Sequence, residues 1–304
     1  MTERTDDDLL SDILGTYQLR ALVIDMPRMC GGWQLGTSGT RRAAFHWLGQ
    51  GAGWLHMKHL DKPVALGAGD LVVFPHDAWH MISGEPRLRG EEDREVMEGD
   101  GPITTMVCGY FDFSSGSRNA LVDALPELIL LRRDEGGGAL RKLGELLLEE
   151  AQHPAIGRQA LLNKLSDALF VLVLRHHIAH ADTPRGLIAG LADPRIRRVL
   201  GALHQAPQRE WTLEAMARLA LMSRTAFAQR FAALVGQTPV QYLTHHRMML
   251  ALRWLQDEFC AVKDIAGRLG YETEAAFRRA FKRVHGVGPG QLRRHGRASP
   301  PAAH

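Results

Sequence analysis

No stretch of the 304 residues approaches the roughly 18 consecutive apolar side chains that a membrane-spanning helix needs. Nothing ahead of Leu9 resembles a secretory leader either. Cysteine is scarce. Cys30, Cys108 and Cys260 are far apart and odd in number, which argues against a secreted disulfide framework and for a reducing, cytoplasmic setting. The run Gly136-Gly137-Gly138 lacks the Gly-Lys-Ser/Thr ending of a phosphate-binding loop, so it reads as a hinge without chemistry. What is present is the balance of a globular chain, 45% hydrophobic and 23% charged, and too long for one ordinary core.

The charge is unevenly spread. Residues 193–304 hold 18 Lys/Arg against 8 Asp/Glu, whereas the first 192 hold 19 against 26. Opposed charge in two halves is expected when only the basic half meets a polyanion. A basic domain can also be merely well solvated, so charge alone does not decide for nucleic acid.

Along the chain, residues 2–8 are acidic and polar and read as a disordered tail. Period-two alternation with glycine punctuation predicts strands at Tyr17–Ile24, Ala44–Leu48, Trp54–Met57, Gly69–Phe74 and Ile103–Phe113. The acid- and glycine-rich stretch Glu85–Pro102 reads as a long hairpin loop. Helical periodicity takes over at Ala139–His153 and Ile156–His180, and about seven short helices follow from Pro194. The fold class is therefore α+β, with strands first and helices after.

The last segment contains an internal repeat at a step of 49–50 residues. Met216-Ala217 recurs as Ile265-Ala266, Leu221 as Tyr271, Ser223 as Thr273, Phe227 as Phe277 and Phe231 as Phe281. Gly236 and Pro239 then recur as Gly286 and Pro289. Each copy reads as a helix, a tight turn, and a second helix opened by a hydroxyl N-cap, Ser223 or Thr273. Phenylalanines four apart must face one core. That leaves Arg224, Thr225, Ala228 and Gln229 on the open face of one second helix, and Glu274, Ala275, Arg278 and Arg279 on the other, with Lys282 a further DNA-binding candidate. A helix with such a face fits the DNA major groove, and two units on a rigid connector, here Pro239–Asp257, can enter successive grooves. His245, His246 and Arg247 on that connector read as contacts to the DNA backbone. The competing reading is an ordinary helical bundle with incidental symmetry.

Residues 211–294 resemble the DNA-binding domain of the AraC/XylS family. The resemblance is carried by Ile265-Ala266-x3-Gly270-Tyr271-x5-Phe277-x3-Phe281-Lys282-x3-Gly286-x2-Pro289 and, less tightly, by Ser223-x3-Phe227-x3-Phe231 with Gly236-x2-Pro239-x2-Tyr242-Leu243. It implies that the first recognition helix projects Thr225, Ala228 and Gln229 toward the bases, and the second Glu274, Ala275, Arg278 and Arg279. Ala228 and Ala275 are too short for anything but apolar contact, as with a thymine methyl.

In the front half, Gly69-Asp70-x4-Pro75-x4-His80 resembles the second cupin motif, and Phe45-His46-x4-Gly51 a degenerate first one. With Leu191-Ala192-Asp193-Pro194-Arg195-Ile196 included, the chain is similar to AraC-type regulators with a cupin sensor. The resemblance implies a cupin-like β-barrel over 9–116, a helical coupling and dimerisation segment over 117–192, a double helix-turn-helix domain over 193–296, and a tail over 297–304. Cupin enzymes hold a metal through several histidines and a carboxylate. Here His-x-His followed by Glu is missing, and only His46 and His80 stand at motif positions. His56, His59 and His76 lie nearby in sequence. Two readings stand: His46 and His80 share a divalent metal, the one cofactor considered, or they hydrogen-bond inside the barrel. A cupin metalloenzyme is the alternative class, and the expectation is that the chain is not an enzyme. A structural DNA-binding adaptor that takes no signal is a third hypothesis.

The contexts Met29-Cys30-Gly31-Gly32-Trp33 and Met106-Val107-Cys108-Gly109 resemble those of cupin-containing regulators that sense reactive chlorine. The resemblance implies a redox-sensing role for Cys30 and Cys108, against the plain reading of two small core residues. Such a role calls for a thiol of lowered pKa. Cys260 is expected in the core. Val171, Leu172 and Leu174 make the second long helix too apolar for a lone surface helix, so a homodimer through residues 139–180 is expected. Double-stranded DNA is the expected partner, with RNA polymerase as a further partner of an activator.

Overall fold

Two antiparallel sheets carry most of the chain's first half. The computed structural model describes residues 9–17, 19–90, 101–113, 119–257 and 260–292. The tails expected at 1–8 and 297–304, and residues 91–100 of the expected hairpin loop, lie outside the described residues.

The strands are β1 (Leu19–Asp25), β2 (Arg28–Cys30), β3 (Gln34–Leu35), β4 (Ala43–Gln50), β5 (Ala52–Met57), β6 (Val64–Gly67), β7 (Leu71–Phe74), β8 (His80–Ser83), β9 (Ile103–Phe113) and β10 (Ile129–Leu131). The larger sheet runs β1-β9-β4-β7-β10, with β2 also paired to β9; the smaller runs β3-β8-β5-β6. Ala44, Leu48, Val72, Phe74, Met106, Cys108 and Tyr110 of the large sheet share one core with Leu35, Leu55, Met57, Leu66 and Ile82 of the small one. Alternate residues point the other way, onto helices α2 (Gly137–Gln152) and α3 (Arg158–His180). Phe111 packs on Phe170 of α3 at 4.7 Å. The indole of Trp47 lies so close to Gly144 of α2 that an added Cβ would sit 1.8 Å from its Cζ2. Both faces of β4 are covered, which is why Ala43–Leu48 is buried without alternation.

The turn before β7 shows why the Gly69-Asp70 pair belongs there. The Asp70 carboxylate accepts from the Gly67 N–H at 3.0 Å, the Arg133 N–H at 3.1 Å and the Arg132 guanidinium at 2.7 Å. It thereby pins the turn to the chain leaving β10. At the opposite edge, α3 covers the open side of β1. Asp167 and Asn163 accept from the N–H groups of Ala21 and Val23 at 2.6 and 3.1 Å, and Gln159 donates to the Val23 carbonyl at 2.8 Å.

The remaining helices are α1 (Leu9–Tyr17), α4 (Gly186–Ala192), α5 (Pro194–Gln205), α6 (Leu213–Leu219), α7 (Arg224–Val235), α8 (Pro239–Asp257), α9 (Val262–Arg268) and α10 (Glu274–His285). Helical residues resume at Pro289. The chain divides into two compact units. One holds residues 19–112 and 125–182; the other holds 9–17, 113–124 and 183 onward, as far as they are described. Helix α1 thus packs with α5 and α8, and the Arg253 guanidinium donates to the Gly15 carbonyl at 3.1 Å. Asp193 caps α5, accepting from the N–H groups of Arg195 and Ile196 at 2.9 and 3.0 Å ahead of Pro194. It also takes the Nε–H of Arg230 on α7 at 2.8 Å.

Candidate nucleic-acid interface and a buried histidine cluster

The repeat becomes two helix-turn-helix units, α6–α7 and α9–α10. Ser223 and Thr273 cap α7 and α10 through the N–H groups of Ala226 and Ala276. Both helices end on a left-handed glycine, Gly236 and Gly286. Phe227, Phe231, Phe277 and Phe281 are fully buried. The turns correct the sequence alignment. Leu221 (φ 54°) occupies the left-handed position that Gly270 (φ 76°) fills in the second unit, and Met222, not Leu221, matches Tyr271. The N–H groups of Met222 and Tyr271 confirm this, each bonding the carbonyl five residues back, Ala217 and Ala266, at 3.0 Å. The second unit therefore carries one extra residue, Glu272, before its cap.

Of the nine expected DNA-facing residues, Arg224, Thr225, Gln229, Ala275, Arg278, Arg279 and Lys282 are exposed, and Ala228 and Glu274 half-buried. Two guanidiniums are held within the fold. Arg224 pairs with Glu214 of α6 at 2.9 Å, and Arg278 with Glu274 one turn back at 2.6 Å. Arg279 and Lys282 make no ion pair among the described residues. The 19-residue α8 separates the units and is about 28 Å long at 1.5 Å per residue. His246 and Arg247 do not project from it toward DNA. His246 is buried against His204, with ring centroids 3.8 Å apart, and Arg247 donates to the carbonyls of Pro207 and Arg209 at 2.7 and 2.9 Å. Cys260 is half-buried beside the Arg268 guanidinium at 3.7 Å, not in the core.

The sheet unit brings His46 and His80 together from different sheets. Their Nε2 atoms are 3.2 Å apart, and both rings have no exposed surface. Thr37, from the loop between β3 and β4, places its Oγ1 3.0 Å from each Nε2. His80 is held flat against Phe74, with centroids 3.6 Å apart, and its Nδ1 lies 2.8 Å from the Ala78 carbonyl. Cys108 stands directly opposite His46 across the β4–β9 ladder, its Sγ 3.1 Å from His46 Nδ1. Burial, and then the neighbouring His80, hold the His46 pKa well below its ordinary value, so that ring is neutral. Of the other nearby histidines, His56 bonds Ser83 at 2.8 Å, His76 the Leu125 carbonyl at 2.9 Å, and His59 sits 3.4 Å from Glu127. Among the described residues no three His, Cys, Asp or Glu side chains converge as metal ligands. Thr37 was not legible as part of the cluster, because no sequence periodicity ties a loop hydroxyl to two strand histidines.

Cys30 and Cys108 do not meet. Cys30 pairs with Ile103 on β9, five residues before Cys108, which puts them about 16 Å apart along the strand. A disulfide needs Cα atoms within about 7 Å. The Cys108 thiol is not acidified either. Burial, with a smaller contribution from the Asp25 charge, pushes its pKa up, contrary to the expectation of a lowered one. On α3, Leu174 is fully buried against the sheet unit, and the exposed apolar residues of this region are Leu146, Ile156 and Leu161.

Comparison with known proteins agrees with both halves. Residues 8–179 match a cupin family and residues 216–295 a helix-turn-helix domain family. A putative AraC-like transcription regulator of Streptomyces lividans is 29% identical over 299 residues, 95% of this chain and 98% of that protein. The RCS-specific HTH-type transcriptional activator RclR of Escherichia coli is 30% identical over 266 residues, 86% of this chain and 88% of its own length. Among solved structures, the DNA-binding domain of AdpA in complex with a target DNA matches at 34% identity, covering 36% of this chain and 99% of that one, with a TM-score of 0.34. No helix among the described residues is long and apolar enough to cross a membrane. The chain therefore belongs to the AraC-like family of DNA-binding transcription regulators, with a cupin as its N-terminal half.

Proposed function

We propose that this regulator reads its operator through the open faces of α7 and α10, and receives its signal at the Thr37–His46–His80–Cys108 cluster in the cupin half. The observation that carries the second part is the cluster itself. Two histidines, a cysteine and a threonine are gathered inside an otherwise apolar core, where each polar group costs free energy unless it is bonded. Such an expensive arrangement is typical of a site that binds or reacts.

The first reading of the signal is a small ligand or ion held by His46, His80 and Thr37. A second reading is oxidation of Cys108, favoured by its contact with His46 and by the name of the Escherichia coli relative. In this fold it would proceed at Cys108 without a Cys30 partner. We further propose a homodimer through the exposed apolar residues of the α2–α3 region, Leu146, Ile156 and Leu161. Because the Escherichia coli relative is named an activator, we read this chain too as an activator, with RNA polymerase as its further partner.

The test is operator binding by gel shift together with a reporter driven by the native operator, with added metal, chelator or hypochlorous acid. Wild type should respond to one of these. His46→Gln with His80→Asn should lose a metal response, and Cys108→Ser an oxidant response, with basal DNA binding kept. An unaltered response in the triple variant would remove the cluster from signalling. Sedimentation of wild type against Leu146→Glu with Leu161→Glu tests the dimer, which fails if wild type is a monomer at micromolar concentration.

A further inference from the structure

We infer that the cavity between α2 and the outer face of the large sheet binds a small organic monocarboxylate, held by the Trp47 indole N–H and the Arg133 guanidinium. This site is separate from the histidine cluster. Trp47 and His46 are consecutive on β4 and point to opposite faces of the sheet, so either site can fail without the other.

Two glycines keep the space clear. A Cβ at Gly49 would sit 2.4 Å from Cδ2 of Leu148 on α2, and one at Gly69 would sit 2.8 Å from Cγ of Arg133. Both glycines border a cavity of about 130 Å³, whose walls include Trp47, Leu140 and Leu148. At ~30 Å³ per water molecule this is room for about four waters. An acid the size of butyrate fits such a volume, and a long-chain acid does not.

One donor in the wall is unused. Trp47 is 3% exposed, and its wholly buried Nε1–H bonds nothing among the described residues. Such a donor has given up its bond to water without replacing it, a cost that an acceptor in the cavity would remove. Charge decides which acceptor. Three arginines line the cavity, Arg132, Arg133 and Arg141. Arg132 is bonded to Asp70 at 2.7 Å, and Arg141 lies 3.9 Å from Glu145. The Arg133 backbone N–H is committed to Asp70 at 3.1 Å, but its guanidinium makes no ion pair among the described residues. One uncompensated positive charge matches a monoanion. The second charge of a dianion would meet only the repulsion of Asp70 and Glu145. A carboxylate offers two oxygens, so it can engage the guanidinium fork and still accept from the indole. The apolar remainder of the acid then packs on Leu140 and Leu148. Bonded to the sheet and packed on the helix, the ligand ties α2 to β4.

The test titrates the full-length protein with butyrate, with its neutral isostere butyramide and with inorganic phosphate, at constant ionic strength and up to millimolar concentration. The readout is the indole N–H resonance of Trp47 in nitrogen-15-labelled protein, identified among the six tryptophans by its absence from Trp47→Phe. Butyrate should move that resonance downfield, as a new hydrogen bond does, and should raise the melting temperature. Butyramide and phosphate should do neither. Arg133→Gln changes only an exposed side chain, so its fold is not at risk, and it should weaken butyrate binding about tenfold or more. Trp47→Phe keeps a ring against Gly144 while removing the donor. In that variant the melting-temperature rise should shrink, and circular dichroism confirms that it folds.

Four results would overturn the inference. The Trp47 resonance could stay in place throughout the butyrate titration. Butyramide could bind as well as butyrate, which would make the cavity a neutral apolar pocket. Phosphate could bind more tightly than butyrate, which would make it a site for dianions. Or Arg133→Gln could bind butyrate as wild type does, which would take the guanidinium out of the site. None of these outcomes bears on the histidine cluster, whose own test uses metal, chelator and oxidant.

Discussion

Lowering the pH from 7.5 to 5 should destabilise the DNA-binding unit through His246. The ring is 6% exposed, lies tilted against His204 with centroids 3.8 Å apart, and its Nε2 has no partner among the described residues. Burial, and secondarily the charge of Arg247, lower its pKa from an ordinary 6.5 to about 3. His204 is lowered too, by burial and then by His246, while its Nε2 engages the Tyr242 hydroxyl at 2.7 Å. In the folded chain His246 thus stays neutral at pH 5, whereas in the unfolded chain it takes up a proton as the pH drops below about 6.5. The folded-state pKa is the depressed one, so the stability is complete above the unfolded value and is lost as the pH falls toward 3. At pH 5 the gap is 1.5 units, about 2 kcal/mol at 1.36 kcal/mol per unit. That is a large share of a typical 5–15 kcal/mol. Urea unfolding of wild type and His246→Gln at both pH values reads this directly. The glutamine cannot titrate, so its loss of stability between pH 7.5 and 5 should be about 2 kcal/mol smaller than that of wild type. Equal losses in the two proteins would refute the reasoning.

Arg279→Ala should weaken operator binding by about 1–3 kcal/mol in a gel-shift titration at fixed salt while leaving the melting curve unchanged, since this exposed guanidinium is not tied into the fold. Gly144→Ala should cost about 1–3 kcal/mol in urea unfolding, because its methyl must displace either the Trp47 indole or α2; a neutral effect would mean that helix moves freely on the sheet. Leu221→Gly should raise stability by up to about 1 kcal/mol in thermal melts, relieving a left-handed leucine whose side chain is 75% exposed.

Much of this was legible in the primary structure. Strand β9 falls at its expected bounds, and β4, β5 and β7 lie within two residues of theirs, because alternation and glycine punctuation are local signals. The helix-turn-helix units were legible twice over, since a repeat tests each position against its copy. The misalignment of Leu221 came from matching two apolar residues where the conserved quantity is a backbone angle. Leu9–Tyr17 could not be assigned to the helical unit, because its partners on α5 and α8 lie some 180 residues or more away. The histidines were found from motif spacing and Thr37 was not. Cys30 and Cys108 were legible as candidate redox-sensing residues, and only strand register showed that Cys108 faces His46 and not Cys30.

The side chains of α3 that cover β1 also measure it. Gln159, Asn163 and Asp167 recur every four residues, a helical rise of about 6 Å, close to the 6.6 Å between Ala21 and Val23 on an extended strand. The helix can match the strand only in whole turns. A slip of one turn in either direction would bring Ala155 or Val171 into the set, and neither can make the missing bond. The helix thus has one axial seat on the sheet, like a key with a single depth. Any signal that moves α3 must carry β1 with it or break all three bonds at once, which favours an abrupt response over a graded one.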